Sequence, residues 1–168
     1  MDFKHDILPL KDRIFRLALR ITMNREESED IVQDTLLKLW QKRDDLDKVS
    51  NLESFALTMA HNLALDRKEK YENRNVSLDE VTHDRTDEHQ MSPDAILSSQ
   101  ERNSQIEHII NSLPEKQRTI IQLRDIEGKT YKEIAAILSL TEADVKVTLF
   151  RARNKLKDEF LKRNRYDA

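Results

Sequence analysis

The sequence predicts an all-α protein built as two small helical domains joined by a flexible linker. Apolar residues step by three and four along residues 1–70 and again along 101–168, and lose that periodicity in between. One glycine and three prolines in 168 residues leave little to break helices, while charged residues at 36% supply long solvated faces. Aromatic residues at 5% are too few for one large core, so two small bundles suit the chain better than one globule.

Ile7, Leu10, Ile14, Leu17 and Ile21 mark a first helix of about four turns, with Pro9 near its start. Asn24 caps a second helix whose first turn carries Glu26 and Glu27, favourable beside the positive end of the helix dipole. Along it Ile31, Thr35, Leu36 and Leu39 face inward and Trp40 closes the core. Asp30, Gln33, Asp34 and the apolar Leu37 are left on the opposite face. Residues 44–51 form a polar loop, and a third helix begins near Leu52 with Leu52, Phe55, Ala56, Met59 and Leu63 inward.

Residues 71–100 hold 2 basic and 7 acidic residues with low apolar content, which is linker composition; His83 and His89 within it are expected to be solvated. A helix resumes near Glu101 with Ile106, Ile109, Ile110 and Leu113 inward. Pro114 fits the first turn of the next helix, Glu115 to Asp125, which ends before Gly128 in a left-handed cap. Thr130 and Glu133 make a capping box, and Tyr131, Ile134, Ala135 and Leu138 share one face. Ser139 and Leu140 break that register, and Thr141 caps a second run with Val145, Leu149, Ala152 and Leu156 as its apolar stripe. Lys146, Arg151, Arg153, Lys155 and Lys157 bring cations to the same run. Two short helices, a tight turn and a basic second helix form the pattern of a helix-turn-helix that lays its second helix in a DNA groove.

The net charge of −3 conceals a division. Residues 1–70 hold 13 basic and 14 acidic residues, residues 101–168 hold 14 and 11, and within 145–165 the count is 8 against 2. Phosphate neutralisation supplies much of sequence-independent DNA binding, so so weak a basic excess implies modest affinity alone and a larger partner that carries the grip.

No cysteine is present, which excludes disulfides and thiolate metal sites and suits a reducing cytoplasm. No apolar run reaches membrane length, and the N-terminus MDFKHDILPL lacks a signal-peptide pattern. There is no phosphate-cradling glycine loop and no His/carboxylate cluster at metal-ligand spacing, so neither catalysis, a metal nor a cofactor is expected.

The run Leu113 to Lys157 resembles region 4 of extracytoplasmic-function sigma factors, the small bacterial transcription initiation factors of the sigma-70 family. The Leu-Pro start, Arg124-Asp125 to Gly128, Glu133-Ile134-Ala135 and Arg151-Ala152-Arg153 carry that resemblance. Arg25 to Trp40 is similar to part of region 2 of the same family, with Asp30 and Gln33 at its Asp-x-x-Gln core, and Leu52 to Lys70 is similar to the part that reads the −10 promoter element. The domains so implied are residues 1–70 for region 2, 71–100 for the acidic linker and 101–168 for region 4.

The resemblance implies a cytoplasmic bacterial specificity subunit whose partners are core RNA polymerase (β′ clamp helices and β flap), promoter DNA and an anti-sigma factor. It makes Asp30, Gln33, Asp34 and Leu37 the polymerase contact. It makes Lys48, Asn51, His61, Asn62, Arg67 and Lys68 the −10 contacts, with Lys48 and Asn51 beside a base flipped from the melted strand. Thr141, Glu142, Asp144, Lys146, Val147, Thr148, Phe150, Arg151 and Arg153 then face the −35 element. The chain departs from the family pattern at Phe55 and His61, where Trp and Arg are common, at Asp144, where a small neutral residue is usual, and at Val147-Thr148, where Ser-Arg is usual. The residues leave open a stand-alone regulator, and a sigma mimic that sequesters an anti-sigma factor.

Overall fold

The computed structural model describes residues 2–74 and 98–167. Among these it holds seven α-helices and no strand: α1 (Lys11–Thr22), α2 (Arg25–Gln41), α3 (Leu52–Arg74), α4 (Ser98–Ser112), α5 (Glu115–Ile121), α6 (Tyr131–Leu138) and α7 (Glu142–Asp167). Helical backbone thus enters both ends of the stretch expected to be linker, and the rest of it, with His83 and His89, lies outside the described residues.

In the N-terminal half, Pro9 sits in a short 3₁₀ turn that leads into α1, and Met23 ends that helix in the left-handed region (φ 57°). The chain doubles back through Asn24, whose Oδ1 accepts from the Glu27 amide at 2.9 Å. Helices α1, α2 and α3 then pack against one another and bury Ile14, Leu17, Ile21, Ile31, Leu39 and Leu57. Each such side chain contributes about 1.5–3 kcal/mol of transfer free energy. Trp40 is half-buried as expected, edge-on to Phe3 with ring centroids 5.5 Å apart.

Helix α3 differs from its sequence reading. Its most buried positions are Ala56, Leu57, Ala60, His61 and Ala64, while Phe55, Met59 and Leu63 are half-buried. The reason is that α3 is covered on two sides, by α1 and α2 and also by α6, so no single stripe marks its inward face.

The C-terminal half is built as the residues suggest. Thr130 Oγ1 accepts from the Glu133 amide at 3.1 Å and Glu133 Oε1 from the Thr130 amide at 2.9 Å, closing the capping box. Gly128 (φ 73°) and Ser139 (φ 57°) supply the left-handed turns on either side of α6. Thr141 Oγ1 caps α7 through the Asp144 amide at 3.0 Å. Val145, Leu149 and Ala152 are buried as the stripe predicts; α7 itself is long, at 26 residues.

The two halves are not held apart. Helix α1 packs on α5 and α3 on α6, and one apolar core runs through both halves. Polar side chains line the join. Arg20, 7% exposed, donates to Gln122 Oε1 (2.7 Å), Asn111 Oδ1 (2.9 Å) and Glu107 Oε1 (3.0 Å). Arg118 donates back to the Arg20 carbonyl at 2.6 Å. Arg16 holds Glu127 bidentately at 2.7 and 2.9 Å, and Glu53 pairs with Arg13 and with Lys129. Burial pushes the Glu127 carboxyl up, but hydrogen bonds from Arg16 and Gln122 and the charges of Arg16 and Arg13 outweigh it and hold it below the ordinary carboxylate range. This contact therefore stands at neutral pH and is lost as the pH falls through that lowered value.

Candidate functional site

Three surfaces carry the residues singled out above. On the outer side of α2, Gln33 and Asp30 are exposed, Asp34 is half-buried and Leu37 is 55% exposed. The spacing of three and four residues that puts Glu27, Asp30 and Asp34 on one face also makes them a single carboxylate cluster. Arg67 reaches it from α3, at 3.1 Å from Glu27, 3.4 Å from Asp30 and 2.6 Å from Asp34. Glu27, which the sequence marks as a first-turn residue of α2, also belongs to this face, three residues before Asp30.

The six residues expected at the −10 strand are dispersed by the fold. Lys48 and Asn62 are exposed. Asn51 caps α3, accepting from the Ser54 amide at 3.0 Å, and its Nδ2 donates to Glu133 of α6 at 2.9 Å. Lys68 pairs with Glu115 of α5 at 2.7 Å, and Arg67 turns to the α2 carboxylates. Carboxylates of the C-terminal half thus occupy two side chains where a nucleic-acid phosphate or base was expected. No sequence pattern announces these partners, because Glu115 and Glu133 also read as first-turn residues of their own helices.

His61 is inside the protein, 9% exposed, with Nδ1 lacking a hydrogen-bond partner among the described residues. It does not face the surface expected to meet DNA. Burial pulls the imidazole below its ordinary range, and the neighbouring Asn62 and Glu115 oppose this without reversing it. The unfolded chain therefore takes up the proton first, so stability falls as the pH drops through the ordinary imidazole range. We expect the urea midpoint to decline between about pH 7.5 and about pH 5.5, and His61→Gln to flatten that decline. An identical slope in the variant would assign the decline to other groups.

The outward surface of α7 is open to solvent. Glu142, Asp144, Lys146, Val147, Phe150 and Arg151 are exposed, Thr148 is half-buried and Thr141 is spent on the cap. Lys146 Nζ stands 5.5 Å from the centroid of Tyr131. Arg153 is held by Asp125, with Nε 3.1 Å from its Oδ2, which leaves Arg151 better placed for a phosphate. Arg151→Ala is expected to weaken duplex binding evenly across sequences and to lower the salt slope by about 1. A filter-binding titration with an unchanged slope would remove Arg151 from the phosphate contacts.

Among the described residues no group of His, Asp and Glu is arranged to hold a metal ion, and no helix is long and apolar enough to cross a membrane.

Comparison with known proteins agrees with the division into halves. The model of sigma-70 region 2 matches residues 7–74, and that of sigma-70 region 4 matches residues 103–156. The ECF RNA polymerase sigma factor SigW of Bacillus subtilis is 30% identical over 156 residues, covering 89% of this chain and 83% of SigW. The ECF sigma factor SigE of Mycolicibacterium smegmatis is 26% identical, and the match spans 90% of this chain but 58% of SigE. The sigma factor RpoE of Bartonella quintana, solved in complex with the anti-sigma factor NepR, superposes with a TM-score of 0.75 at 28% identity, covering 96% of this chain and 97% of RpoE. The chain belongs to the extracytoplasmic-function RNA polymerase sigma factors of the sigma-70 family.

Proposed function

We propose that the chain is an alternative sigma factor of the bacterial cytoplasm, which binds core RNA polymerase and directs it to promoters, the polymerase supplying the chemistry. In this reading the α2 face of Asp30, Gln33, Asp34 and Leu37 meets the β′ clamp helices, and the C-terminal half meets the β flap. Residues around Lys48, Asn51, Asn62 and Lys68 take the melted −10 strand, and the outward face of α7 enters the −35 major groove. Arg67 serves the clamp face as a positioning residue for its carboxylates.

The observation that carries the reading is the match of regions 2 and 4, in that order, to the two helical halves. The packing of those halves adds a condition. Glu133 on Asn51 and Glu115 on Lys68 must let go before these side chains reach a strand, so promoter engagement requires the halves to part. An anti-sigma protein is a third expected partner, by analogy with RpoE, solved with one.

Run-off transcription with purified core polymerase on genomic DNA tests the proposal. Specific transcripts that appear only when the chain is added are expected. Transcription indistinguishable from core enzyme alone would sink it, and would favour a sequestering mimic.

A further inference from the structure

The outer surface of α7 has a chemistry unusual for a helix facing solvent. Val145, Leu149 and Ala152 turn into the core. At about 100° per residue, Ala143 and Val147 point away from them, and Phe150 stands outward beside that line. Val147 is 46% exposed and Phe150 68%, so two large apolar side chains one turn apart stand uncovered. Cations flank this row on both sides: Lys146 and Lys157 along one edge, Arg151 and Lys155 along the other, all exposed. An apolar partner helix would leave four cations without counter-charges, whereas a nucleic-acid duplex supplies phosphates on both rims of its major groove.

The residues that would face base edges narrow the choice further. From Glu142 to Thr148 there is no Arg, Asn or Gln, the side chains that read purine edges bidentately. Lys146, the one cation in that span, lies against the Tyr131 ring. Besides the carboxylates Glu142 and Asp144, which can accept only from a cytosine amino group, what projects outward is hydrocarbon, and the one hydrocarbon feature of the major groove is the 5-methyl group of thymine.

We propose that Val147, with Phe150 beside it, is a specificity-determining residue that reads thymine 5-methyl groups in the −35 element. This rests on the assignment of α7 to promoter DNA made above. Shape and apolar contact, rather than hydrogen bonds to a purine, then carry the discrimination at those base pairs. Arg151 supplies affinity without sequence preference from the rim of the same surface.

The test starts with the full chain assembled with core RNA polymerase and used to enrich binding sites from random duplex DNA. In duplexes of the enriched sequence every thymine is then replaced, one at a time, by deoxyuridine, which lacks only the methyl group. Binding is expected to weaken about three- to fivefold at one or two positions, the size of losing one buried methyl contact. Val147→Ser should bind the thymine and deoxyuridine duplexes alike, near the wild-type affinity for the deoxyuridine form. Val147→Thr, which keeps one methyl, should retain part of the difference. Arg151→Ala should lose affinity for both duplexes with their ratio unchanged. An enriched sequence indifferent to every deoxyuridine, or a Val147→Ser protein with the wild-type ratio, overturns this inference and leaves DNA binding standing. Failure to enrich any sequence overturns both.

Discussion

Replacing Arg118 by alanine is expected to part the two halves of the chain. The guanidinium is 8% exposed and serves three backbone carbonyls: Arg20 at 2.6 Å, Leu113 at 2.8 Å and Ile21 at 3.5 Å. Two of these belong to the last turn of α1, where a helix leaves its carbonyls without partners of its own. Arg118 thus acts as a C-cap for α1 delivered from the other half of the molecule. Burial pulls its proton affinity below the ordinary value; Glu115 opposes this and the adjacent Arg20 reinforces it. An arginine nonetheless keeps its proton, so the group stays a charged donor.

Truncation removes all three bonds and leaves buried acceptors, a loss of about 3–5 kcal/mol. Because the loss falls on the join, the C-terminal half should detach before the N-terminal bundle unfolds. Trp40, the single tryptophan, reports on that bundle alone. The expected result is a larger radius of gyration by small-angle scattering, a Trp40 transition close to wild type in urea, and an earlier loss of part of the helical circular dichroism. Freed from Glu133 and Glu115, Asn51 and Lys68 should also bind a single-stranded −10 oligonucleotide more tightly than in the wild type. A scattering profile and urea midpoints unchanged from wild type would mean that Arg118 does not hold the halves together.

That join also marks the limit of what is legible in the sequence. Local elements were legible because their signals are local: Thr130 and Glu133 cap α6 in three residues, and Val145, Leu149 and Ala152 repeat on one face of a helix covered on one side only. The inward face of α3 was read less well, since cover on two sides removes the contrast on which periodicity depends. Arg20, Arg118 and Gln122 gave no signal at all. Charged and amide side chains are solvated in most settings, and nothing in a linear pattern tells that Arg118 meets the end of a helix nearly a hundred residues earlier. The candidate contacts followed the same rule. Exposed residues on one face, such as Asp30, Gln33 and Leu37, could be grouped by helical spacing, whereas the pairing of Lys68 with Glu115 exists only once the halves are joined.

Leu37→Asp is expected to weaken binding to core polymerase by about thirtyfold or more, the loss of one interface hot spot. Leu37 is 55% exposed and lies one turn beyond Gln33 on the face that also carries Asp30 and Asp34, so it serves no purpose in the core of α2 that a carboxylate would destroy. In the proposed clamp contact, this leucine at the edge of an acidic cluster would meet a partner that is both basic and apolar. Arg67 already draws Glu27, Asp30 and Asp34 into one array, which lowers the cost of ordering them when that partner arrives. A new negative charge at position 37 would remove the apolar anchor, while the unfolding free energy should stay within about 0.5 kcal/mol of wild type. Arg67→Ala offers the companion measurement, since loosening the carboxylates should weaken the same association with less effect than Leu37→Asp. Titration of fluorescently labelled chain with core polymerase reads both variants, and wild-type affinity in Leu37→Asp would move the polymerase contact off this face of α2.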